Sequence, residues 1–299
     1  MDPFKKHHFQ IVIMSRNRVA LLRECIQSII SQDDTEFQFV VSDNSDGSEV
    51  YDYIRTNHPQ ITIRRRSPVL PALDHFNAII EECTSRYIVI FHDDDILTSD
   101  YVRKMKTAWL ENPTCVAIGC NARILRNGNL LPRKFFNSGA IEVESQRALL
   151  SRYSSLTSDN MAPFPSYCYK TQILKRHRPK IDLGKFMDLI LLMELLISGS
   201  IYWLGDCCMY YRVHSTNDSG DESIHQRQKV VSYVCSLPNI HRREKLVRSY
   251  RFKYLIRVAI TSIRNSRKGR IARTVETRNR LVLLLKVYFS LRLPRVFHR

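Results

Sequence analysis

The chain has 299 residues, 44% of them hydrophobic and 25% charged, and its formal net charge is +17. This length and hydrophobic content are typical of a globular protein with a sizeable core, and they exclude an intrinsically disordered chain. The first residues lack the apolar run of a secretory signal, and no stretch of about 18 apolar residues occurs, so we expect neither export nor a transmembrane helix.

Strand and helix patterns alternate along the first 110 residues. Predicted strands cover residues 9–14, 37–47 (running into a turn rich in Asp, Asn, Ser and Gly), 61–66 and 87–91. Predicted helices cover residues 16–30, 49–58, 70–84 and 98–112, the last with Thr98 or Ser99 as its N-cap. This alternation predicts a mostly parallel sheet flanked by helices.

The pattern becomes looser after residue 115. It predicts a strand at residues 116–120, irregular chain to about residue 140, a helix near residues 145–153 and a strand within residues 164–169. A strong helix pattern follows at residues 186–199, with an apolar stripe formed by Leu189, Leu192, Met193 and Leu196. The segments at residues 200–206 and 207–214 predict two further strands.

Three consecutive carboxylates follow the predicted buried strand in the segment YIVIFHDDDIL, residues 87–97. We call Asp93, Asp94 and Asp95 the acid turn. Like charges at the end of a core strand cost free energy unless a cation or hydrogen-bond donors compensate them. Carboxylate oxygens suit Mg²⁺ or Mn²⁺, and strand alternation would place Asp93 and Asp95 on one side, with Asp94 pointing elsewhere. We therefore predict a divalent-cation site; the alternative is a solvated turn before the next helix.

Polar turns follow three separate strands of the predicted sheet. They are residues 14–18, residues 43–45 and the acid turn. Ligands of parallel sheets bind at the carboxyl ends of the strands, so we expect the functional site where these turns converge.

Four segments, in this order, resemble those of family 2 glycosyltransferases with the GT-A fold. They are IVIMSRNRVALLRECIQSIISQ, FVVSDNSDGS, SRYIVIFHDDDILTSDYV and GKFMDLILLMELLISGSIYWLGDCCMYYRVHSTNDS, and the resemblance covers roughly residues 8–220. It implies a GT-A catalytic domain at residues 1–220, with a mixed, mostly parallel sheet flanked by helices. It also implies inverting, metal-dependent transfer of a sugar from a nucleotide-sugar donor, a UDP-sugar above all, with Mn²⁺ or Mg²⁺ as cofactor.

The same resemblance implies a role for each matching residue. Asp43 would bind the nucleobase, Asp93 the ribose or the first sugar, and Asp188 would be the catalytic base. The metal ligands would be Asp95 and His214, and the further donor contacts would be Ser15, Arg16, Asp94 and Arg212. Taken singly, three of these residues also fit structural roles: Asp43 as a turn residue, Asp188 as a first-turn charge that the helix dipole favours, and His214 as a structural histidine.

Elementary chemistry agrees with these roles. Breaking a sugar–phosphate bond builds negative charge on the leaving nucleoside diphosphate, which a divalent cation and nearby Arg or His side chains neutralise. The attacking hydroxyl must lose its proton, and one carboxylate opposite the leaving group can accept it. In-line attack with a single base inverts the anomeric carbon.

The positive charge is concentrated in the last quarter of the chain. Residues 225–299 hold 20 Lys and Arg against only Glu244 and Glu276. Residues 248–264 and 280–293 have the pattern of basic amphipathic helices, which favours contact with an anionic membrane surface. We therefore predict a basic helical region at residues 221–299 on the cytoplasmic face of a membrane. The acceptor would then be a glycan or a lipid-linked glycan, as in bacterial surface polysaccharide (O-antigen or capsule) biosynthesis.

Other classes remain as alternatives. The basic tail alone would also fit a nucleic-acid-binding protein, although its large aliphatic residues argue against nucleic acid as a partner, or helices that pack on the catalytic domain. A phosphatase with a nucleophilic DxD motif would carry it after the first strand, and a nucleotidyltransferase would need a Gly- and Lys-rich loop that this sequence lacks. The eight cysteines show no CxxC pair and no zinc spacing, and because no export signal is recognised, we expect a reduced cytosolic compartment.

Overall fold

Ten strands form one mixed sheet in the part of the chain that the computed structural model describes: residues 8–154, 161–180, 184–214 and 224–237, with positions 240, 247 and 248. The strands are β1 Phe9–Ser15, β2 Gln38–Asp43, β3 Thr62–Arg65, β4 Tyr87–His92, β5 Ile96–Leu97, β6 Ala117–Arg126, β7 Asn129–Lys134, β8 Ile141–Val143, β9 Cys168–Lys170 and β10 Ile201–Val213. The helices are α1 Val19–Ile30, α2 Glu49–Asn57, α3 Ala72–Glu82, α4 Tyr101–Glu111, α5 Gln146–Ser154, α6 Thr171–Arg176, α7 Met187–Leu195 and α8 Ile224–Ser236.

The sheet order is β3-β2-β1-β4-β9-β6-β10-β5, with β7 beside β6 and β8 beside β10. β1 lies between β2 and β4 and is parallel to both, so that Ser15 is level with Asp43 and Met14 is level with His92. Three strands therefore end at the same edge of the sheet. The predicted mostly parallel, helix-flanked fold is confirmed, and β3 is the edge strand that its short, polar sequence indicates.

Side chains of successive strand residues enter two hydrophobic cores, one on each face of the sheet. In β1, Val12 belongs to the core formed with α3, α5 and α7, whereas Ile11 and Ile13 belong to the core formed with α1, α2 and α4. Both faces are covered, which is why the central strands read as continuous apolar runs without polar alternation. Each fully buried aliphatic side chain of this kind contributes about 1.5–3 kcal/mol.

Two predicted boundaries differ from the structure. α4 begins at Tyr101, so its N-cap is Asp100 and not Thr98 or Ser99; Thr98 instead donates a hydrogen bond to the Asp100 carboxylate at 2.6 Å. The stretch predicted to be irregular contains the hairpin β6–β7, whose turn at Asn127 and Gly128 has positive φ angles of 49° and 76°. An Asn-Gly pair is a strong hairpin signal in a sequence.

The two strands predicted at residues 200–206 and 207–214 are a single strand, β10. It runs parallel to β6 with register shifts between Leu204 and Cys207 and between Cys207 and Met209. The Asn121 side chain supports this irregular stretch: its amide donates to the Phe136 and Gly205 carbonyls, at 2.7 and 3.4 Å. The polar residues near position 206 mark a bulge in one strand, and not the turn between two.

The beginning of the basic C-terminal region belongs to the same core as the sheet. Val230, Val231 and Val234 of α8 are buried in the cluster that contains α7. The predicted tail helices at residues 248–264 and 280–293 lie outside the described residues, apart from residue 248. Among the helices that the structure describes, none combines the length and hydropathy needed to cross a membrane.

Candidate active site

The acid turn lies at the edge of the sheet where β1, β2 and β4 end. β4 stops at His92, Asp93 and Asp94 form a turn, and the chain re-enters the sheet as β5. The three aspartates are buried, with exposures of 2%, 7% and 1%. Each carboxylate therefore needs partners, and these come from three different elements.

Asp93 is held by the turn that follows β1. Its Oδ2 accepts hydrogen bonds from the Ser15 hydroxyl at 2.9 Å and from the Arg16 backbone N–H at 3.0 Å. The Arg18 guanidinium lies 3.3 Å from its other oxygen. Burial raises the pKa of Asp93, and these donors oppose the rise.

Asp94 and Asp95 are contacted by the C-terminal end of β10. The Oδ2 atom of Asp94 lies 2.9 Å from His214 Nε2 and 3.2 Å from an Arg18 guanidinium nitrogen. Asp95 Oδ1 accepts the backbone N–H of Arg212 at 2.8 Å, while its Oδ2 is buried without a hydrogen-bond partner among the described residues. Burial, together with the neighbouring charge of Asp94, raises the pKa of Asp95 well above its usual range.

His92, Asp94 and Asp95 are placed to hold a metal ion. Each offers one ligand atom, and these atoms all lie within 4.8 Å of one another. Oxygen ligands with one imidazole suit a divalent cation such as Mn²⁺, and the unpartnered oxygen of Asp95 is a free ligand position. The residues present therefore fit the predicted cation.

This grouping differs from the predicted alternation. Asp93 turns towards Ser15 and Arg16, and Asp94 joins Asp95, because β4 ends at His92 and the turn abolishes the period of two. His92 was not predicted from the sequence. Its position directly before the acid turn was the only signal that could have found it. His214, predicted as a metal ligand, contacts Asp94 Oδ2.

The Arg212 side chain connects β10 with the acid turn. Its Nε donates to the Asp94 carbonyl at 2.9 Å, and its terminal nitrogen forms an ion pair with Glu24 of α1 at 2.6 Å. Arg212, which was predicted as a donor contact, therefore lies beside the acid turn. Its contacts join β10, the acid turn and α1 in one network.

Asp43 lies at the end of β2 with one oxygen available. Its Oδ1 accepts the Ser45 backbone N–H at 3.0 Å, and its buried Oδ2 has no partner in the described part of the chain. Next to it, Asn44 exchanges hydrogen bonds of 2.9 and 2.8 Å with the backbone of Leu70. A buried carboxylate oxygen of this kind can accept an N–H group from a ligand.

The turns after β1 and β2 are joined to each other. Asn17, with φ of 56°, accepts the Asp46 backbone N–H at 3.0 Å and donates to its carboxylate at 2.6 Å. This hydrogen bond and the nearby Arg16 guanidinium lower the pKa of Asp46. The exposed Arg16 side chain is thus oriented at the mouth of the site.

Asp188 lies in the first turn of α7, on the opposite face of the sheet from α1. Its Oδ1 accepts the Leu189 backbone N–H at 2.6 Å, and the residue is half-buried. Burial above all raises the pKa of Tyr169, and Tyr167 and the charge of Asp188 add to the rise, which places Asp188 near Tyr169, the aromatic residue of β9. A first-turn carboxylate at this position is stabilised by the helix dipole.

Residues 10–164, which contain β1 to β8 and the acid turn, match the family model described as glycosyl transferase family 2. Similar solved structures include S. aureus TarS 1-349 in complex with UDP-GlcNAc, with a TM-score of 0.66 and 16% identity over 93% of this chain and 81% of that one. Another is the mannosyltransferase PcManGT from Pyrobaculum calidifontis in complex with GDP-Man and Mn²⁺, with a TM-score of 0.55 and 15% identity over 95% of this chain and 82% of that one. The search of curated proteins gave no match. At these identities the structural likeness shows the GT-A fold.

Proposed function

This chain belongs to glycosyl transferase family 2 and is a glycosyltransferase, and from that membership we propose an inverting, metal-dependent enzyme that uses a nucleotide-sugar donor. The observation that carries the proposal is a pair of buried carboxylate oxygens, Asp43 Oδ2 and Asp95 Oδ2, which lack partners among the described residues. Leaving such atoms unsatisfied costs about 1–3 kcal/mol each, and a donor N–H at Asp43 and a cation at Asp95 would remove that cost.

In the proposed donor site, residues at the ends of different strands contact different parts of the donor. Asp43 accepts an N–H group of the nucleobase, and Ser15, Arg16 and Asp93 form the wall next to the ribose and the first sugar. The cation would be held by His92, Asp94 and Asp95, and it would supply charge neutralisation of the diphosphate. The presence of GDP-Man with Mn²⁺ in PcManGT and of UDP-GlcNAc in TarS supports a nucleotide-sugar donor and a divalent cation.

Arg212 and His214 complete the charge balance of the leaving group. Both reach the acid turn from the end of β10, and their cationic or hydrogen-bonding side chains lie beside its carboxylates. Negative charge grows on the diphosphate as the glycosidic bond to it breaks, so donors fixed in advance favour the transition state over the ground state.

Asp188 is the proposed base. It removes the proton from the acceptor hydroxyl as the new bond forms, and a single base in line with the leaving group gives inversion at the anomeric carbon. It lies on α7 and not on one of the strand ends that form the proposed donor site.

The positively charged tail is the basis for the proposed acceptor and for the proposed location in the cell. We propose a glycan or lipid-linked glycan acceptor, in surface polysaccharide (O-antigen or capsule) biosynthesis, with the protein peripherally bound at the cytoplasmic face of a membrane. The 20 basic residues after position 224 support attraction to anionic lipid.

A donor panel tests the proposed function. Purified protein is heated with each of several UDP-, GDP-, dTDP- and CMP-sugars in Mn²⁺ or in EDTA, and the melting temperature is recorded. We expect one nucleotide class to raise it by several degrees in Mn²⁺ only, because a ligand of the folded state stabilises it by mass action. Equal melting temperatures with every donor, in Mn²⁺ and in EDTA, would contradict the proposal.

A further inference from the structure

Three basic side chains reach the acid turn in the described part of the chain: Arg18, Arg212 and His214. The Arg212 guanidinium contacts the Asp94 carbonyl and pairs with Glu24. Arg18 differs, because its guanidinium contacts side-chain oxygens of the turn itself. It is therefore the arginine whose charge directly neutralises the buried carboxylates.

One guanidinium nitrogen of Arg18 lies between two of these carboxylates. It is 3.3 Å from Asp93 Oδ1 and 3.2 Å from Asp94 Oδ2. Asp93 has two other donors, from Ser15 and Arg16, so its position does not depend on Arg18. Asp94 is different, since it belongs to the group of His92, Asp94 and Asp95 that fits a cation.

Arg18 and a divalent cation would therefore both contact the Asp94 carboxylate. Both groups are positively charged, so each lowers the affinity of the shared carboxylate for the other. Arg18 is the N-cap residue of α1, outside the regular helix, and 30% of its side chain is exposed. Part of the Arg18 side chain is therefore in contact with solvent.

We infer that Arg18 is an exchangeable counter-cation: it neutralises Asp93 and Asp94 while the site has no donor, competes there with the divalent cation, and pairs with the donor diphosphate once the two bind together. This inference rests on the proposed function. A planar guanidinium pairs with phosphate oxygens as well as with carboxylates, so Arg18 can exchange one kind of anionic partner for the other.

Titration calorimetry with MnCl₂ alone tests the competition. Arg18→Met removes the charge, and Arg18→Gln removes it while keeping an amide donor, so that one neutral variant remains if the other does not fold. Arg23→Met is the matched control, because Arg23 is an exposed cation of the same helix that lies over the Tyr53 ring at 4.8 Å. We expect Mn²⁺ to bind the Arg18 variants about tenfold more tightly than the unchanged protein or the control.

A second titration, with inorganic pyrophosphate at saturating Mn²⁺, separates exchange from simple competition. The Arg18 variants should bind pyrophosphate about tenfold more weakly, because the guanidinium is then absent from the diphosphate. A merely structural role would weaken Mn²⁺ and pyrophosphate binding together. Unchanged or weaker Mn²⁺ binding in folded Arg18 variants, or absence of Mn²⁺ binding from every protein, overturns the inference, whereas the proposed function is overturned only by the donor panel.

Discussion

At the scale of single residues, the buried carboxylates of the site differ in the number of hydrogen-bond donors that contact them. Asp93 has three donors, whereas one oxygen of Asp95 and one of Asp43 have none among the described residues. Desolvation disfavours the charged form of a carboxylate, and this is the main reason for the raised pKa of Asp95. A bound cation reverses that preference, so ligand binding and the protonation of this residue are coupled.

Asp188→Asn separates transfer from donor binding. The amide cannot accept the proton of the acceptor hydroxyl, so we expect kcat to fall by about 10²- to 10⁴-fold while donor affinity stays within a few-fold. Glu194→Gln, on the same helix, is the matched control and should keep its kcat. A parallel loss of donor affinity and kcat in Asp188→Asn would show a structural role instead.

His75 gives the protein a predictable pH dependence. Its Nε2 lies 2.8 Å from the Ser42 hydroxyl, to which Arg66 donates two hydrogen bonds. Burial, and then the Arg66 charge, lower the pKa of His75 from 6.5 to about 4. On acidification the unfolded chain therefore takes up this proton before the folded protein does. The stabilisation that comes from keeping His75 neutral in the fold is thus complete above pH 6.5 and is lost as the pH falls towards 4.

Urea unfolding at pH 7 and pH 5 measures this effect. The unchanged protein should lose roughly 2 kcal/mol more of its unfolding free energy over this interval than His75→Gln, which cannot be protonated. All other groups titrate in both proteins, so the difference between the two losses of unfolding free energy reports His75. Equal losses in the two proteins would mean that His75 is not held neutral by its surroundings.

At the scale of elements, the site depends on β10 being one strand. After its bulge β10 stays paired with β6 and also pairs with β5, which directly follows the acid turn, so that Arg212 and His214 reach carboxylates more than 100 residues earlier. Gly205 lies in this bulge, and a Cβ there would be 2.9 Å from the Gly139 carbonyl carbon and 3.1 Å from the Ala140 nitrogen. Backbone atoms cannot move aside as a flexible side chain can.

Gly205→Ala should therefore destabilise the protein by about 1–3 kcal/mol, the usual cost of overpacking. It should also weaken Mn²⁺ binding, since Arg212 and His214 lie further along the same strand. Gly139→Ala is the matched control, because nothing lies within 4 Å of its added Cβ. Chemical denaturation of both variants measures the difference, and equal stability would contradict the assigned packing.

Local patterns predicted most of this architecture but not the contacts between distant elements. The alternation of strands and helices was sufficient for β1 to β4 and for α1 to α4, because each is a strong periodic segment. The bulge of β10 and the turn at Asp93 are decided by tertiary contacts that have no periodic signal. For the same reason Arg18, which contacts Asp93 and Asp94 more than 70 residues later, was not predicted. His92 was missed although Asp94 and Asp95 are close to it in sequence, because the turn after β4, and not a period of two, brings the three together.

At the scale of the whole molecule, charge and catalysis occupy different parts of the chain. The acid turn lies within the first hundred residues, whereas residues 225–299 carry the excess of positive charge. α8, at the start of that region, is packed on the core beside α7. A test of membrane binding must therefore remove residues beyond α8 and leave α8 in place.

Removal of residues 270–299 should release the protein from vesicles that contain anionic lipid. Each Lys or Arg near such a surface contributes about 1 kcal/mol, screened by salt. Transfer to a lipid-linked acceptor should slow, while transfer to a short soluble acceptor should change little. Vesicle co-sedimentation at low and high salt measures the binding, with neutral vesicles as the control. Undiminished sedimentation of the truncated protein would place the membrane contact elsewhere.

The central claim is that the acid turn binds the donor diphosphate through a divalent cation. Calorimetric titration of the nucleoside diphosphate selected by the donor panel, in Mn²⁺ and in EDTA, tests it most directly, with Asp95→Asn and the exposed control Asp206→Asn beside the unchanged protein. We predict that Mn²⁺ tightens binding at least about tenfold in the unchanged protein and in the control, but not in Asp95→Asn, which lacks the ligand charge. The same affinity in Mn²⁺ and in EDTA, or full Mn²⁺ dependence in Asp95→Asn, would contradict the claim.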